Sequence, residues 1–241
     1  MNYSCKWQSY SGSNTEDNRD YCGIATCSNM TFFVIADGST DSHKGSELAQ
    51  RLVVSLLEKF RSGPENSSAE TVTSWCRATH AELRFHYPAA SASYLIGIAR
   101  ENGIWITLHA GDCLLGTINH DGIIQWHLQP HTLANATGPV PHKELIKSPI
   151  RHSLTRSFRA RIFMKPECNT FMFSTTEKII LASDGFWAGL SQMEQEQSLK
   201  DQLKQNGGTD DTSFLLVRKH TPGKAPVTIH SENITIIKNG S

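Results

Sequence analysis

The chain has 241 residues, and its 23 Lys plus Arg are balanced by 23 Asp plus Glu. With no net charge there is no broad basic field, which excludes a generic binder of nucleic acid or of anionic membranes; 38% hydrophobic and 19% charged residues mark a folded chain long enough to bury its own core. No apolar run nears the roughly 18 residues of a membrane helix, MNYSCKWQSYSGSN lacks the apolar segment of a secretory signal, and six cysteines without a CxxC pair read as reduced core thiols, so the expected location is the cytoplasm.

Residues 30–36 (MTFFVIA) form a short apolar run stopped by Asp37-Gly38, the pattern of a buried strand entering a turn. Residues 46–60 carry Leu48, Leu52, Val53, Leu56 and Leu57 on one helical stripe, and Gly63-Pro64 ends it. A second helix is predicted over 68–85, with Val72, Trp75, Cys76, Thr79 and Leu83 on one side. Four strands follow, at 93–100, 104–110, 113–119 and 122–127, split by Glu101-Asn102-Gly103, Gly111-Asp112 and His120-Asp121-Gly122. Asn-Gly and Asp-Gly between apolar runs signal hairpins, so this stretch reads as an antiparallel meander. Residues 128–149, rich in Pro, His, Thr and Gly, read as a surface loop or flap. Strands are predicted near 161–168, 178–183 and 213–218, with a polar helix over 191–206 and a break at Gly207-Gly208. Helices flanking hairpin-linked strands predict an α+β layered fold with antiparallel sheets. One domain spans 1–218, and a tail over 219–241 is either an extra edge strand or a flexible end.

The acids sit where strands end. Asp37 follows FFVIA, Asp112 follows WITLHAG, Asp184 follows IILAS, and Asp210-Asp211 come just before the last strand; Glu16-Asp17 precede the first strand of the sheet. Lone carboxylates against apolar strands are costly to bury. Gathered at one sheet edge they would repel and raise one another's pKa unless a cation neutralised them. Mg²⁺ and Mn²⁺ prefer such oxygen ligands, and the Gly after Asp37 lets a backbone carbonyl approach closely.

These spacings resemble the metal-dependent protein phosphatase family, type 2C, in its bacterial branch. The elements run in order: Asn14-Thr15-Glu16-Asp17, FFVIADGSTDSHKGSELAQ (32–50), Ala110-Gly111-Asp112-Cys113, Leu154-Thr155-Arg156, IILASDGFW (179–187) and Asp210-Asp211-Thr212-Ser213. The resemblance implies a four-layer α-β-β-α sandwich of two antiparallel sheets with a dinuclear metal site at one edge. It implies that Asp37 bridges two tightly bound Mn²⁺ or Mg²⁺ ions, that Asp184 and Asp210 complete the first, and that Glu16 and the Gly38 carbonyl contact the second. Asp17 would orient metal-bound water, and Asp112 with Asp184 would hold a weaker third ion. The implied substrates are phosphoserine and phosphothreonine in proteins, a serine/threonine kinase or its targets among them.

Two departures stand out. The family's phosphate-gripping Arg is replaced by Gly12, and a His found two residues after the bridging Asp in many members is Ser39. These favour a rival, a phosphoprotein-binding pseudophosphatase; Asp37, Asp184 and Asp210 favour catalysis. A small-molecule phosphomonoesterase is a third reading. His43 and Lys44 read as solvated loop residues, and Arg156 as either an ion pair or a substrate contact. His127 and His131, four apart but separated by Pro130, read as flap residues rather than a zinc pair. Ser183 lies outside any GxSxG elbow. Trp7, Trp75, Trp105, Trp126 and Trp187 read as core or partly buried anchors.

Overall fold

A computed structural model describes residues 3–14, 16–27, 29–202, 208–220 and 227–238. The N-terminal strand β1 (Tyr3–Tyr10) is followed by β2 (Asp20–Cys27) and β3 (Met30–Gly38). Helices α1 (Gly45–Ser62) and α2 (Ala69–Leu83) come next, the second capped by the Ser68 hydroxyl, which accepts from the Thr71 N–H. Strands β4 (Ser91–Arg100), β5 (Ile104–Ala110), β6 (Leu114–Ile118) and β7 (Ile124–Trp126) lead to the short helix α3 (His142–Leu145). Then come β8 (Phe158–Arg159), β9 (Glu167–Met172), β10 (Lys178–Ala182), the helical turn α4 (Asp184–Trp187), α5 (Gln192–Leu199), β11 (Thr212–Lys219), β12 (Val227–Ile229) and β13 (Ile234–Lys238).

The strands form two sheets, ordered β12-β1-β11-β10-β6-β7 and β13-β2-β3-β4-β5-β9, with β8 against β4. Trp7, Cys22, Phe33, Leu95, Trp105, Leu181 and Leu215 fill the space between the sheets. Helices α1 and α2 cover the outer face of the β2–β5 sheet through Phe32, Val34, Leu52, Leu56 and Phe60. On the opposite side Phe186 and Leu190 cover Ile180, Phe214 and Leu216. The result is the expected four-layer α-β-β-α sandwich. Each large apolar side chain buried in these layers contributes about 1.5–3 kcal/mol.

Several expectations are corrected. The run 93–127 is not one meander. Strands β4 and β5 pair, and β6 and β7 pair, but β5 turns to β9 and β6 to β10, so the chain crosses between sheets at Gly111-Asp112. Gly111 has φ +117°, and a Cβ there would fall 2.2 Å from the Ser93 hydroxyl, so this turn is a crossover that only glycine fits. The strand expected near 161–168 is β9, shifted toward the C-terminus. The polar helix stops at Leu199; residues 203–206 of its expected span, and Gly207, lie outside the described residues. The tail gives two strands. β12 and β13 each add to a sheet edge in parallel, on β1 and β2, so the sheets are mixed rather than wholly antiparallel. Residues 221–226 and 239–241 of the tail lie outside the described residues. Cys5, Cys22, Cys76 and Cys113 are buried, whereas Cys168 is exposed.

Candidate active site

The layering brings the ends of several strands to one edge. Asp37 ends β3, Asp112 sits on the crossover turn, Asp184 opens α4 directly after β10, and Asp210 precedes β11. All four line one cleft of about 860 Å³. Asp20, at the start of β2, is the register partner of Asp37. Its Oδ2 accepts from the Ser183 hydroxyl at 2.8 Å, and its Oδ1 is buried with no hydrogen-bond partner among the described residues.

Burial raises the pKa of these acids, and their mutual repulsion raises it further. Asp37 is held well above the usual carboxylate range by burial and by the charges of Asp20, Asp184, Asp112 and Asp210. Asp20 is likewise raised well above it, by burial and then by Asp211 and Asp210, against hydrogen bonds from Ser213 and Ser183. Burial and Asp184 push Asp112 up to about 7 and Asp210 up to about 6. The Asp112 carboxylate accepts from the Ser93 hydroxyl at 2.6 Å, and its carbonyl accepts from the Trp187 indole N–H at 2.7 Å. Two bonds thus hold the crossover turn in place.

Of the expected opening element, Asn14 lines the cleft, but its two acids do not. Thr15 lies outside the described residues; Glu16 and Asp17 are exposed, and neither lines the cleft. Asp17 instead faces the Arg19 guanidinium at 3.4 Å. The acid delivered to the cluster is Asp20, because β2 starts there and pairs with β3 so that Asp20 faces Asp37. Asp211 is a buried clamp. Its two oxygens accept from the Gly12 and Arg19 backbone N–H groups at 2.8 and 2.7 Å.

The basic residues are also redistributed. Arg156 lies 3.8 Å from Glu167 and does not line the cleft. The arginine on the acids is Arg151, whose Nη1 donates to Asp184 Oδ2 at 2.9 Å. His152 and Arg159 also line the cleft. Gly12 marks a close backbone approach, since a Cβ there would sit 2.4 Å from the Asp210 carbonyl carbon. His43 and Lys44 are exposed, with Lys44 over the Tyr87 ring.

The two flap histidines do not converge. His127 pairs with the Thr117 hydroxyl at 2.8 Å. His131 stacks on His109, accepts the Gly111 N–H at Nδ1 and meets Glu167 through Nε2. With Nδ1 accepting, Nε2 carries the proton and donates to Glu167. His131 therefore braces the crossover turn and keeps no lone pair for a metal.

Fold and cleft define the class: an α-β-β-α sandwich with a carboxylate centre at the shared edge of its sheets, the build of a protein phosphatase. The sequence matches the family described as Protein phosphatase 2C over residues 10–213, and the chain belongs to that family. It is 23% identical over 220 residues to the serine/threonine phosphatase stp of Listeria monocytogenes serovar 1/2a, covering 79% of this chain and 85% of that one. Its fold is similar to that of serine/threonine phosphatase Stp1 from Staphylococcus aureus, with TM-score 0.76 and 16% identity over 90% of this chain and 95% of the other. It is also similar to the catalytic domain of the serine/threonine protein phosphatase PstP in complex with two manganese ions, with TM-score 0.67 and 13% identity over 91% of this chain and all of that one.

Proposed function

We propose that this protein is a metal-dependent phosphatase that hydrolyses phosphoserine and phosphothreonine in proteins, in the cytoplasm, with a serine/threonine kinase or its targets among its substrates. The observation that carries the reading is Asp37, Asp112, Asp184 and Asp210 lining one cleft beside Asp20, whose Oδ1 is buried with no hydrogen-bond partner among the described residues. Such a group cannot stay fully ionised without a cation. An all-oxygen donor set selects a hard divalent ion, Mg²⁺ or Mn²⁺, over softer metals.

Asp37, Asp184 and Asp210 are the residues that would hold a tight ion, and Asp112 with Asp184 a weaker one. When bound, the metal places positive charge against the phosphoryl oxygens and acidifies water for attack on phosphorus. The remaining work falls to the chain. Asp20, fixed by Ser183, keeps one carboxylate oxygen free and takes the water-orienting part that the resemblance gave to Asp17. Arg151 and Arg159 line the cleft as guanidinium donors for a phosphate dianion, the kind of contact that Gly12 cannot make. Leu154, Ser153 and Thr40 line the cleft where the rest of a substrate would lie.

The pseudophosphatase reading draws on one observation, the Arg151–Asp184 ion pair, which neutralises an acid that a metal would need. Assay of the whole chain on a chromogenic phosphate ester and on phosphoserine and phosphothreonine peptides, with Mn²⁺, Mg²⁺ or a chelator, separates the readings. Metal-dependent release of phosphate from the peptides supports the proposal. Metal binding without turnover supports the binding module, and turnover of the ester alone supports a small-molecule esterase.

A further inference from the structure

Arg19 packs its side chain beneath the Asp37–Ser42 segment. Its carbonyl accepts the Gly38 N–H at 3.0 Å, so it abuts the turn that follows Asp37. Its guanidinium is almost wholly buried, with the side chain 9% exposed. Nη1 donates to the Ser39 carbonyl at 2.7 Å and to the Ser42 carbonyl. A Cβ built on Gly45 would meet the same Nη1 and the Gly38 carbonyl carbon, each at 3.2 Å. The guanidinium, the Gly38 peptide and the start of α1 therefore meet at one point, and Gly45 leaves the room for it.

This is the place where the resemblance called for a carboxylate and the Gly38 carbonyl around a second ion. The structure leaves Glu16 exposed and outside the cleft, and sets a guanidinium beside Gly38 instead. The neighbouring Ser39 and Ser42 carbonyls, of the kind a hard cation would take, are engaged by the Arg19 guanidinium. A fixed positive charge at this turn opposes a divalent ion set beside it.

We propose that Arg19 fills, with its own charge, the place beside Gly38 that a second divalent ion would need, so that this chain holds a single tight divalent ion on Asp37, Asp184 and Asp210. Arg19 is then a positioning residue that also fixes the Ser39–Ser42 turn at the mouth of the cleft. The inference rests on the metal-dependent reading above, and counting bound ions tells the two apart.

The experiment is native mass spectrometry and calorimetric titration of the whole chain with Mn²⁺. One tight ion per chain is expected, with any further ion weaker by at least about 10²-fold, the order expected for a divalent ion set against a fixed charge at close range. Arg19→Glu should bind a second ion tightly, and Arg19→Gln should bind it with intermediate affinity. Two ions of similar affinity in the unaltered chain would overturn the inference and leave the metal reading intact. No tight ion at all would overturn both. If Arg19→Glu does not fold, Arg19→Gln decides the matter, because it keeps a donor for the Ser39 carbonyl while removing the charge; a folded Arg19→Gln that gains no second ion also overturns the inference.

Discussion

Asp20 faces Asp37 across β2 and β3 as its register partner, so two carboxylates of adjacent strands stand side by side at the edge of the sheet. That relationship makes Asp20 part of the acid cluster at the cleft, whereas Glu16 and Asp17 are exposed and do not line it. Asp20→Asn should cut kcat at least about 10²-fold, the scale of losing one preorganised electrostatic group, and should weaken Mn²⁺ binding. Glu16→Gln and Asp17→Asn should stay within about threefold of the unaltered enzyme, as exposed charges contribute little. Phosphate-release kinetics on the three variants check this; a large loss in Glu16→Gln with none in Asp20→Asn would return the site to the opening element read from the sequence.

The remaining acids should separate by role. Asp37 is raised by burial and by the charges of Asp20, Asp184, Asp112 and Asp210, and Asp37→Asn should lower kcat by about 10³-fold or more. Asp210→Asn should do nearly as much, with activity partly recovered at high Mn²⁺. Asp112→Asn should slow turnover while leaving the tight ion bound. Calorimetric metal titration beside kcat for each variant is the measurement. Loss of tight binding in Asp112→Asn with none in Asp37→Asn would show that the principal ligand is misassigned.

The parts of this molecule that were readable in the sequence are those where burial imposes a period. MTFFVIA and KIILAS became β3 and β10 because both faces of each strand are covered, and the Leu48–Leu57 stripe became α1 because one face is. Strand β1 carried a weaker version of the same signal, with Tyr3, Cys5 and Trp7 turned inward at every second residue, interrupted by polar neighbours. Asp37, Asp112, Asp184 and Asp210 were legible because each follows or precedes an apolar strand. Asp20 was not, since it opens a strand instead of closing one and only the pairing with β3 shows what it faces. Arg151 was hidden just past the flap, where no periodicity says which way a side chain turns. The crossover at Gly111 was mistaken for a hairpin because a glycine at positive φ serves both.

The acid cluster also fixes how the metal-free protein responds to pH. Asp112 and Asp210 are raised to about 7 and about 6, so their ionised forms oppose folding above those values, and the opposition fades as pH falls toward the ordinary carboxylate range. A shift of one unit is about 1.4 kcal/mol, which sets a ceiling of about 4 kcal/mol for Asp112 alone. The buried His109 and the half-buried His127, His131 and His142 act in the other sense. Burial lowers His109 to about 4 and also lowers His127, His131 and His142, so each costs stability as pH falls below about 6.5. With a chelator present, Tm should therefore rise from pH 8.5 to about 6.5 and then level or fall. With Mn²⁺ the carboxylates keep a cation and the rise should disappear. Thermal melts across pH in the two conditions test it; a flat metal-free profile between pH 8.5 and 6.5 would mean that the acids do not repel as placed.

Restoring an arginine at position 12 should harm the enzyme. A Cβ at Gly12 would press on the Asp210 peptide, meeting its carbonyl carbon at 2.4 Å and the Thr209 oxygen at 2.5 Å. Neither atom belongs to a flexible side chain, so the backbone that carries Asp210 must move. Gly12→Ala and Gly12→Arg should both lower stability by about 1–3 kcal/mol, as other overpacked sites do, and both should weaken Mn²⁺ binding. Denaturant unfolding and metal titration decide it; a Gly12→Arg enzyme with unchanged stability and a lower KM would contradict the packing described for this turn.

Asn233 ties the C-terminal strands to the active-site edge from outside the family-matched segment of residues 10–213. Its Nδ2 donates to the Asp20 carbonyl and to the Ser9 hydroxyl, both at 2.8 Å, and its Oδ1 accepts from the Trp7 indole N–H at 3.0 Å. Trp7 is buried to 1% exposure between the sheets, so loss of the acceptor leaves an indole N–H without a protein partner in the core. Asn233→Ala should cost about 2–4 kcal/mol, one buried unsatisfied group plus two lost hydrogen bonds. Asn233→Asp keeps the acceptor for Trp7 but loses the donors, and should cost less. Because one of those donors holds the backbone of Asp20, both variants should weaken Mn²⁺ binding several-fold even at temperatures where they are fully folded. Urea unfolding measures the first effect and calorimetric titration of the folded variants the second. If Asn233→Ala loses stability with no change in Mn²⁺ affinity, the C-terminal strands brace the sandwich without acting on the metal centre.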